Sequence, residues 1–133
     1  MKLDQCYNFH DFRLLAKKRL PSPIFNYIDG AADDETTYKR NTHSYNEVDL
    51  IPNVLRGVES VDLSTTIFGK KLGMPLYCAP TALQRLFHFE GEKAVAKAAQ
   101  NYDTMFGVSS LGTVSVEEIS SLITAPKMFQ FYF

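Results

Sequence analysis

The sequence predicts an α/β fold in which helices come first and the opening units of a (β/α)8 barrel follow. Three observations carry this reading. Helix start and stop signals fill the first fifty residues. From Leu76 onward, apolar runs of strand length alternate with helical stripes at a spacing of about 25 residues, the pattern of βαβ units around a parallel sheet. Finally, "APTALQRL" after the first such run contains no glycine. The phosphate-binding fingerprint of an open dinucleotide-binding sheet is therefore absent, which leaves the barrel. A barrel typically takes about 250 residues. These 133 residues are expected to hold three of its eight strands, with 1–60 a helical segment and 61–133 a hairpin and the first strands of one barrel domain.

The elements follow from local chemistry. Asn8 is placed to cap a helix whose Phe9, Phe12, Leu15 and Ala16 share a face, with Leu20-Pro21 as its stop. Ser22 reads as the next N-cap, with Pro23 in the first turn and Gly30 at the end. A third helix spans about Asp33 to Tyr45, acidic at its start and basic near Lys39 and Arg40, as the helix dipole favours. In "STTIFGKKLGMP", β-formers flank Gly69-Lys70, which predicts a small hairpin. Leu76–Ala79, Met105–Ser109 and Lys127–Phe133 are the expected strands, adjacent and parallel in that order. Between them lie two helices. One is Glu90–Asn101, with Ala94, Val95, Ala98 and Ala99 on one face. The other is capped by Ser115 with Glu118 and carries Val116, Ile119 and Leu122.

Composition excludes several classes of function. A net charge of −1 provides no basic stripe for a nucleic-acid partner, and Lys17-Lys18-Arg19 reads as the cationic last turn of a helix. The two cysteines, Cys6 and Cys78, form neither a disulfide framework nor a metal-binding pattern. No apolar stretch reaches the roughly 20 residues of a spanning helix, and "MKLDQCYNFHDF" lacks the apolar core of a signal peptide. The expected location is the reducing cytoplasm.

Chemistry gathers beyond the carboxyl ends of parallel strands. That rule selects "APTA", "SSLGT" and "QFY", small or polar residues after apolar runs. Small side chains let a flat ligand approach the backbone, and hydroxyl and amide groups offer paired donors and acceptors. By spacing alone, the same stretches also read as ordinary loop starts.

Four collinear segments, "LPSPIFNYIDGAADDETT", "MPLYCAPTALQRLFHFEGE", "VSSLGTVSVEE" and "FQFY", resemble the front of the FMN-dependent 2-hydroxy-acid dehydrogenases and oxidases. That family includes glycolate oxidase, mandelate dehydrogenase and L-lactate dehydrogenase, and the likeness is nearest to the FMN-dependent L-lactate dehydrogenases. The resemblance implies an FMN enzyme that oxidises an L-2-hydroxy acid, lactate first in line, to the 2-oxo acid, acting as a homo-oligomer with an electron acceptor that the sequence does not identify. It implies that Tyr27 binds the substrate carboxylate and that the backbone of Pro80, Thr81 and Ala82 lies against the flavin ring. Ser109 and Gln130 would bond the flavin, and Tyr132 would serve the substrate α-hydroxyl as a catalytic and binding group. Leu111 falls where the family varies its substrate side-chain contact. The family's catalytic histidine and carboxylate-clamping arginine lie beyond its later strands, so His88, followed here by Phe89 rather than the usual proline, is not that base. A membrane-attachment segment could equally lie outside these residues. The competing reading is a non-catalytic binding or interaction module derived from the same fold.

Overall fold

The computed structural model describes residues 2–133. It divides into two compact units, residues 2–57 and Val58–Phe133.

The first unit is helical. A short 3-10 turn, Leu3–Gln5, precedes α1 (Phe9–Arg19). Asn8 caps α1 as its chemistry requires, its Oδ1 accepting the Asp11 N–H at 3.0 Å. The cations Lys17, Lys18 and Arg19 close its last turn. The expected apolar face narrows to one residue: Leu15 is buried, whereas Phe9 and Phe12 are exposed. Helix α2 (Ser22–Asp29) starts one residue earlier than Ser22 capping would allow. The Pro21 carbonyl accepts the first helical bond, from Phe25 N–H at 2.9 Å, so Ser22 already lies inside the helix. Phe25 is the buried residue of α2. Asp29 takes a two-pronged hydrogen bond from Arg13 of α1, with Nη2 to Oδ2 at 2.8 Å. The third helix is shorter than the sequence predicts. Asp33 and Glu35 adopt left-handed backbone at φ 48° and 58°, so α3 cannot start until Thr36; it runs Thr36–His43 and tightens into a 3-10 turn, Ser44–Glu47.

The second unit opens with an antiparallel hairpin, β1 (Thr65–Ile67) and β2 (Lys70–Leu72). Ile67 pairs with Lys70, so the two-residue turn is Phe68-Gly69, one position before the expected pair. Both residues have positive φ, 49° and 73°, the twist that a tight hairpin turn needs. A three-stranded parallel sheet follows in the order β3-β4-β5: β3 (Tyr77–Cys78), β4 (Met105–Val108) and β5 (Lys127–Phe129). Tyr77 pairs with Met105, and Phe106 with Lys127. Order and direction are as expected, but each strand is shorter. The largest change is in β5, which ends at Phe129 rather than Phe133. Its central partner β4 stops at Val108, and only Gln130 N–H still reaches back, to the Val108 carbonyl at 2.9 Å. With no neighbour to pair with, residues 131–133 leave the ladder.

Helices α4 (Glu92–Asn101) and α5 (Val116–Leu122) connect the strands. Ser115 caps α5 by accepting the Glu118 N–H at 3.1 Å, while the Glu118 carboxylate pairs with Lys93. One core joins sheet and helices: Ala96, Ala99, Phe106, Val108, Val114, Ile119, Ile123 and Ala125. The buried side of α4 is therefore the Ala96 and Ala99 side, with Val95 packed against it in part, whereas Ala98 is exposed. Residues 48–64 contain no helix or strand. No helix among the described residues is long and apolar enough to cross a membrane.

Candidate functional site

The loops after the parallel strands hold six of the seven residues singled out from sequence. Ser109, directly after β4, is buried. Its hydroxyl donates to Gln130 Oε1 at 3.1 Å and accepts the Leu111 N–H at 3.2 Å. Gln130 follows β5, and its Nε2 donates to the Tyr132 hydroxyl at 2.8 Å. Ser109, Gln130 and Tyr132 thus form one hydrogen-bonded chain across the carboxyl edge of β4 and β5. Tyr132 itself is 66% exposed.

The segment Pro80-Thr81-Ala82, which follows β3, is laid directly on β4. A Cβ at Gly107 would sit 2.7 Å from the Pro80 nitrogen, the Pro80 Cδ and the Cys78 carbonyl oxygen. Only glycine admits backbone that close. Two hydrogen bonds hold the segment further. The Thr81 carbonyl accepts from the buried Gln84 side chain at 3.2 Å, and Leu83 N–H donates to the Leu111 carbonyl at 3.0 Å. This second bond ties the loop after β3 to the loop after β4. Tyr27 belongs to the other unit, on α2, and is 56% exposed.

His88 lies between the 3-10 turn Gln84–Leu86 and α4. Its Nδ1 accepts the Glu90 N–H at 3.3 Å and its ring rests 4.6 Å from that of Phe89. Together with Thr81, Gln84 and Val95 it lines a largely apolar cavity of about 390 Å³. Cys6 and Cys78 are free thiols; burial pushes the Cys78 thiol above its ordinary value.

Two residues that shape the site, Gly107 and Glu92, were not singled out from sequence, and a third, Thr113, was picked out only as the end of the stretch "SSLGT" with no role of its own. Gly107 lies in the middle of an apolar run. Thr113 and Glu92 face each other across the loops: Glu92 Oε1 accepts the Thr113 N–H at 2.7 Å and Oε2 accepts its hydroxyl at 2.6 Å. Glu92 is fully buried. As the second acid of "FEGE", it reads in the sequence as a helix-start carboxylate facing water, and nothing in the local pattern separates the two cases.

Fold and strand-end cluster together define a parallel α/β sheet with polar groups gathered at its carboxyl edge. A family model described as FMN-dependent dehydrogenase matches residues 16–133. The chain is 37% identical over 125 residues to glycolate oxidase of Spinacia oleracea, an alignment covering 94% of this chain and 34% of that protein. It is 42% identical over 118 residues to the cytochrome-type L-lactate dehydrogenase of Wickerhamomyces anomalus, covering 89% and 21%. A crystal structure of mandelate oxidase superposes with a TM-score of 0.84 at 35% identity, covering 93% of this chain and 37% of that one. The chain belongs to the FMN-dependent dehydrogenase family. It spans about a third or less of the length of these relatives. Glycolate, lactate and mandelate enzymes all stand among them, so the likeness to L-lactate dehydrogenases widens to the 2-hydroxy-acid family as a group.

Proposed function

We propose that these residues build one wall of the flavin and substrate site of an enzyme that oxidises an L-2-hydroxy acid to the 2-oxo acid, with L-lactate as the favoured substrate and the rest of a (β/α)8 barrel supplied by further chain. The observation that carries this reading is the Ser109–Gln130–Tyr132 chain at the carboxyl edge, next to the Pro80–Ala82 backbone. Its chemistry suits FMN. A hydroxyl and a carboxamide, each both donor and acceptor, match the alternating donors and acceptors on the edge of a flavin ring. The Pro80-Thr81-Ala82 segment, brought down onto the sheet at Gly107, carries no bulky side chain that would keep a ring face from its backbone.

In this reading Ser109 and Gln130 hold the cofactor, and Thr81 and Ala82 face the ring. FMN, when bound, supplies the acceptor for the α-hydrogen and its electron pair. The Tyr132 hydroxyl orients the reacting α-hydroxyl through one hydrogen bond, Tyr27 holds the substrate carboxylate, and Leu111 borders the substrate side chain, leaving more room than a larger aromatic residue would. The hydroxyl proton passes to a base outside these residues. His88 is unsuited to that role in this reading: its Nδ1 accepts the Glu90 N–H, which leaves Nε2 as the protonated nitrogen with no lone pair to take a proton.

The test is to purify the protein encoded by the whole reading frame that contains these residues, load it with FMN, and follow flavin bleaching anaerobically with L-lactate, glycolate and L-mandelate. Bleaching by a 2-hydroxy acid, fastest with L-lactate, is expected. Tyr132→Phe should lower the bleaching rate on the order of 10²-fold, the worth of one positioned hydrogen bond in a transition state, while leaving FMN retention nearly unchanged. No bleaching with any of the three acids overturns the enzymatic reading in favour of a binding module. A faster rate with glycolate or mandelate overturns the choice of lactate, and an undiminished rate in Tyr132→Phe removes that residue's role.

A further inference from the structure

We propose that Glu92 is a positioning residue for the flavin-facing loops: its buried carboxylate fixes the loop after β3 and the loop after β4 in a single relative placement, and FMN binding depends on that placement. The inference rests on the flavin reading above.

Four observations converge on it. First, Glu92 is the opening residue of α4 and none of its surface reaches solvent. Second, both carboxylate oxygens are engaged by Thr113 of the β4 loop, at 2.7 and 2.6 Å. Third, Thr113 passes the restraint on. Its hydroxyl oxygen accepts the N–H of Arg85, in the turn that follows the β3 loop, at 3.3 Å, so a single carboxylate and a single hydroxyl bridge the two loops. Fourth, the bridged loops are those that carry Pro80–Ala82 and Ser109, already joined by Leu83 N–H to the Leu111 carbonyl. Burial alone would push Glu92 up, but hydrogen bonds from Thr113, from its own N–H and from Gln84 N–H hold it below the ordinary glutamate value, so it is an anion at neutral pH.

The choice of an anion is itself informative. Burying a carboxylate carries a far larger desolvation penalty than burying a neutral amide. What a carboxylate offers is acceptor-only chemistry at both oxygens. It admits one arrangement of Thr113, with N–H and O–H both pointing at Glu92 and the hydroxyl lone pairs left for Arg85. A glutamine in that place could donate as well as accept, and the loops would have more than one arrangement open to them.

The experiment uses apoprotein from the complete reading frame, with FMN as the probe. Glu92→Gln, Glu92→Asp and Thr113→Val are compared with Gln100→Ala. Gln100 lies at the opposite end of α4 and accepts the Thr124 N–H at 2.7 Å, so its loss costs stability away from the site. FMN affinity is read by fluorescence quenching, the environment of bound flavin by its visible absorption bands, and folding by thermal melting. Positioning by Glu92 predicts that Glu92→Gln and Thr113→Val weaken FMN binding about tenfold or more, as loss of a hydrogen bond to a charged group would, and shift the flavin bands. Glu92→Asp, which keeps the charge but withdraws the oxygens, should fall between them and wild type, and Gln100→Ala should lower melting temperature alone. If Glu92→Gln does not fold, Thr113→Val, which removes the hydroxyl's bonds to Glu92 and Arg85 and keeps the Thr113 N–H bond to the carboxylate, decides the matter. Wild-type affinity and spectra in the Thr113 and Glu92 variants overturn the proposal. Failure of the wild-type protein to bind FMN overturns the flavin reading instead.

Discussion

At Gly107 a single missing methyl group decides whether the loop after β3 can reach the sheet. An alanine there would place its Cβ 2.7 Å from the Pro80 ring, the Pro80 nitrogen and the Cys78 carbonyl, and two of these three are backbone, with no flexible side-chain end to give way. Gly107→Ala is expected to destabilise the chain by about 1–3 kcal/mol, the usual cost of overpacking, seen as a lower urea midpoint, and to displace the 80–82 backbone. An unchanged midpoint would mean that the loop has slack the packing does not show. Glu92 makes a second prediction at this scale. Its folded value is depressed, so the stabilisation it gives is present above the unfolded value of 4.5 and lost as pH falls through the lower folded value. Wild type and Glu92→Gln should therefore differ in stability at neutral pH, with the gap starting to close as pH falls below about 4.5 and closing fully only below the folded value, as measured by urea unfolding across pH. A constant gap would show that the carboxylate is not the anion its partners require.

Elements form where local chemistry is unopposed and shift where it meets a neighbour. The Asn8 and Ser115 caps and the order and direction of the three parallel strands were legible in the sequence, because capping side chains and apolar period are local signals. The end of β5 was not. Residues Phe129–Phe133 are strand formers by type, yet a strand exists only where a partner offers its ladder, and β4 turns away at Ser109. The site shows the same division. The strand-end rule picked out Ser109, Gln130 and Tyr132, and the structure joins them, whereas the burial of Glu92 depends on Thr113, 21 residues away, and no local pattern signals it. The hairpin gives a prediction of its own. Phe68 sits at φ 49° and is 83% exposed, so a bulky side chain bears left-handed backbone strain with little burial in return. Phe68→Asn, with Gly69 kept, should stabilise the hairpin by roughly 0.5–1 kcal/mol, since asparagine tolerates that region and Asn-Gly favours the turn. A fall in melting temperature would mean that the Phe68 ring contributes a contact outweighing the strain.

Among the described residues the three-stranded parallel sheet has two open edges, since β3 and β5 each pair with β4 alone. Parallel sheets occur almost only with both faces covered and with edges closed or protected. Here Leu76 and Tyr77 near one edge and Phe129, Phe131, Tyr132 and Phe133 near the other are exposed, and a nearly apolar groove of about 410 Å³, lined by Met74, Leu76, Tyr77 and Tyr102, opens beside β3. Expressed as 133 residues alone, the chain should therefore self-associate through these surfaces, with an apparent mass by light scattering that rises with concentration. Phe131→Lys, which puts a charge next to the β5 edge without touching the core, should lower that mass. The same chain should neither retain FMN through gel filtration nor bleach it with L-lactate. Ser109, Gln130 and the 80–82 backbone offer partners along one side of a ring, whereas tight flavin binding also needs partners for its phosphate, and turnover needs a placed base. A monomer that stays monodisperse as concentration rises would show that the edges are protected in a way the sheet does not reveal. Retention of FMN with bleaching by lactate would show that one wall suffices, and would make His88, the histidine next to the loop after β3, the first residue to replace.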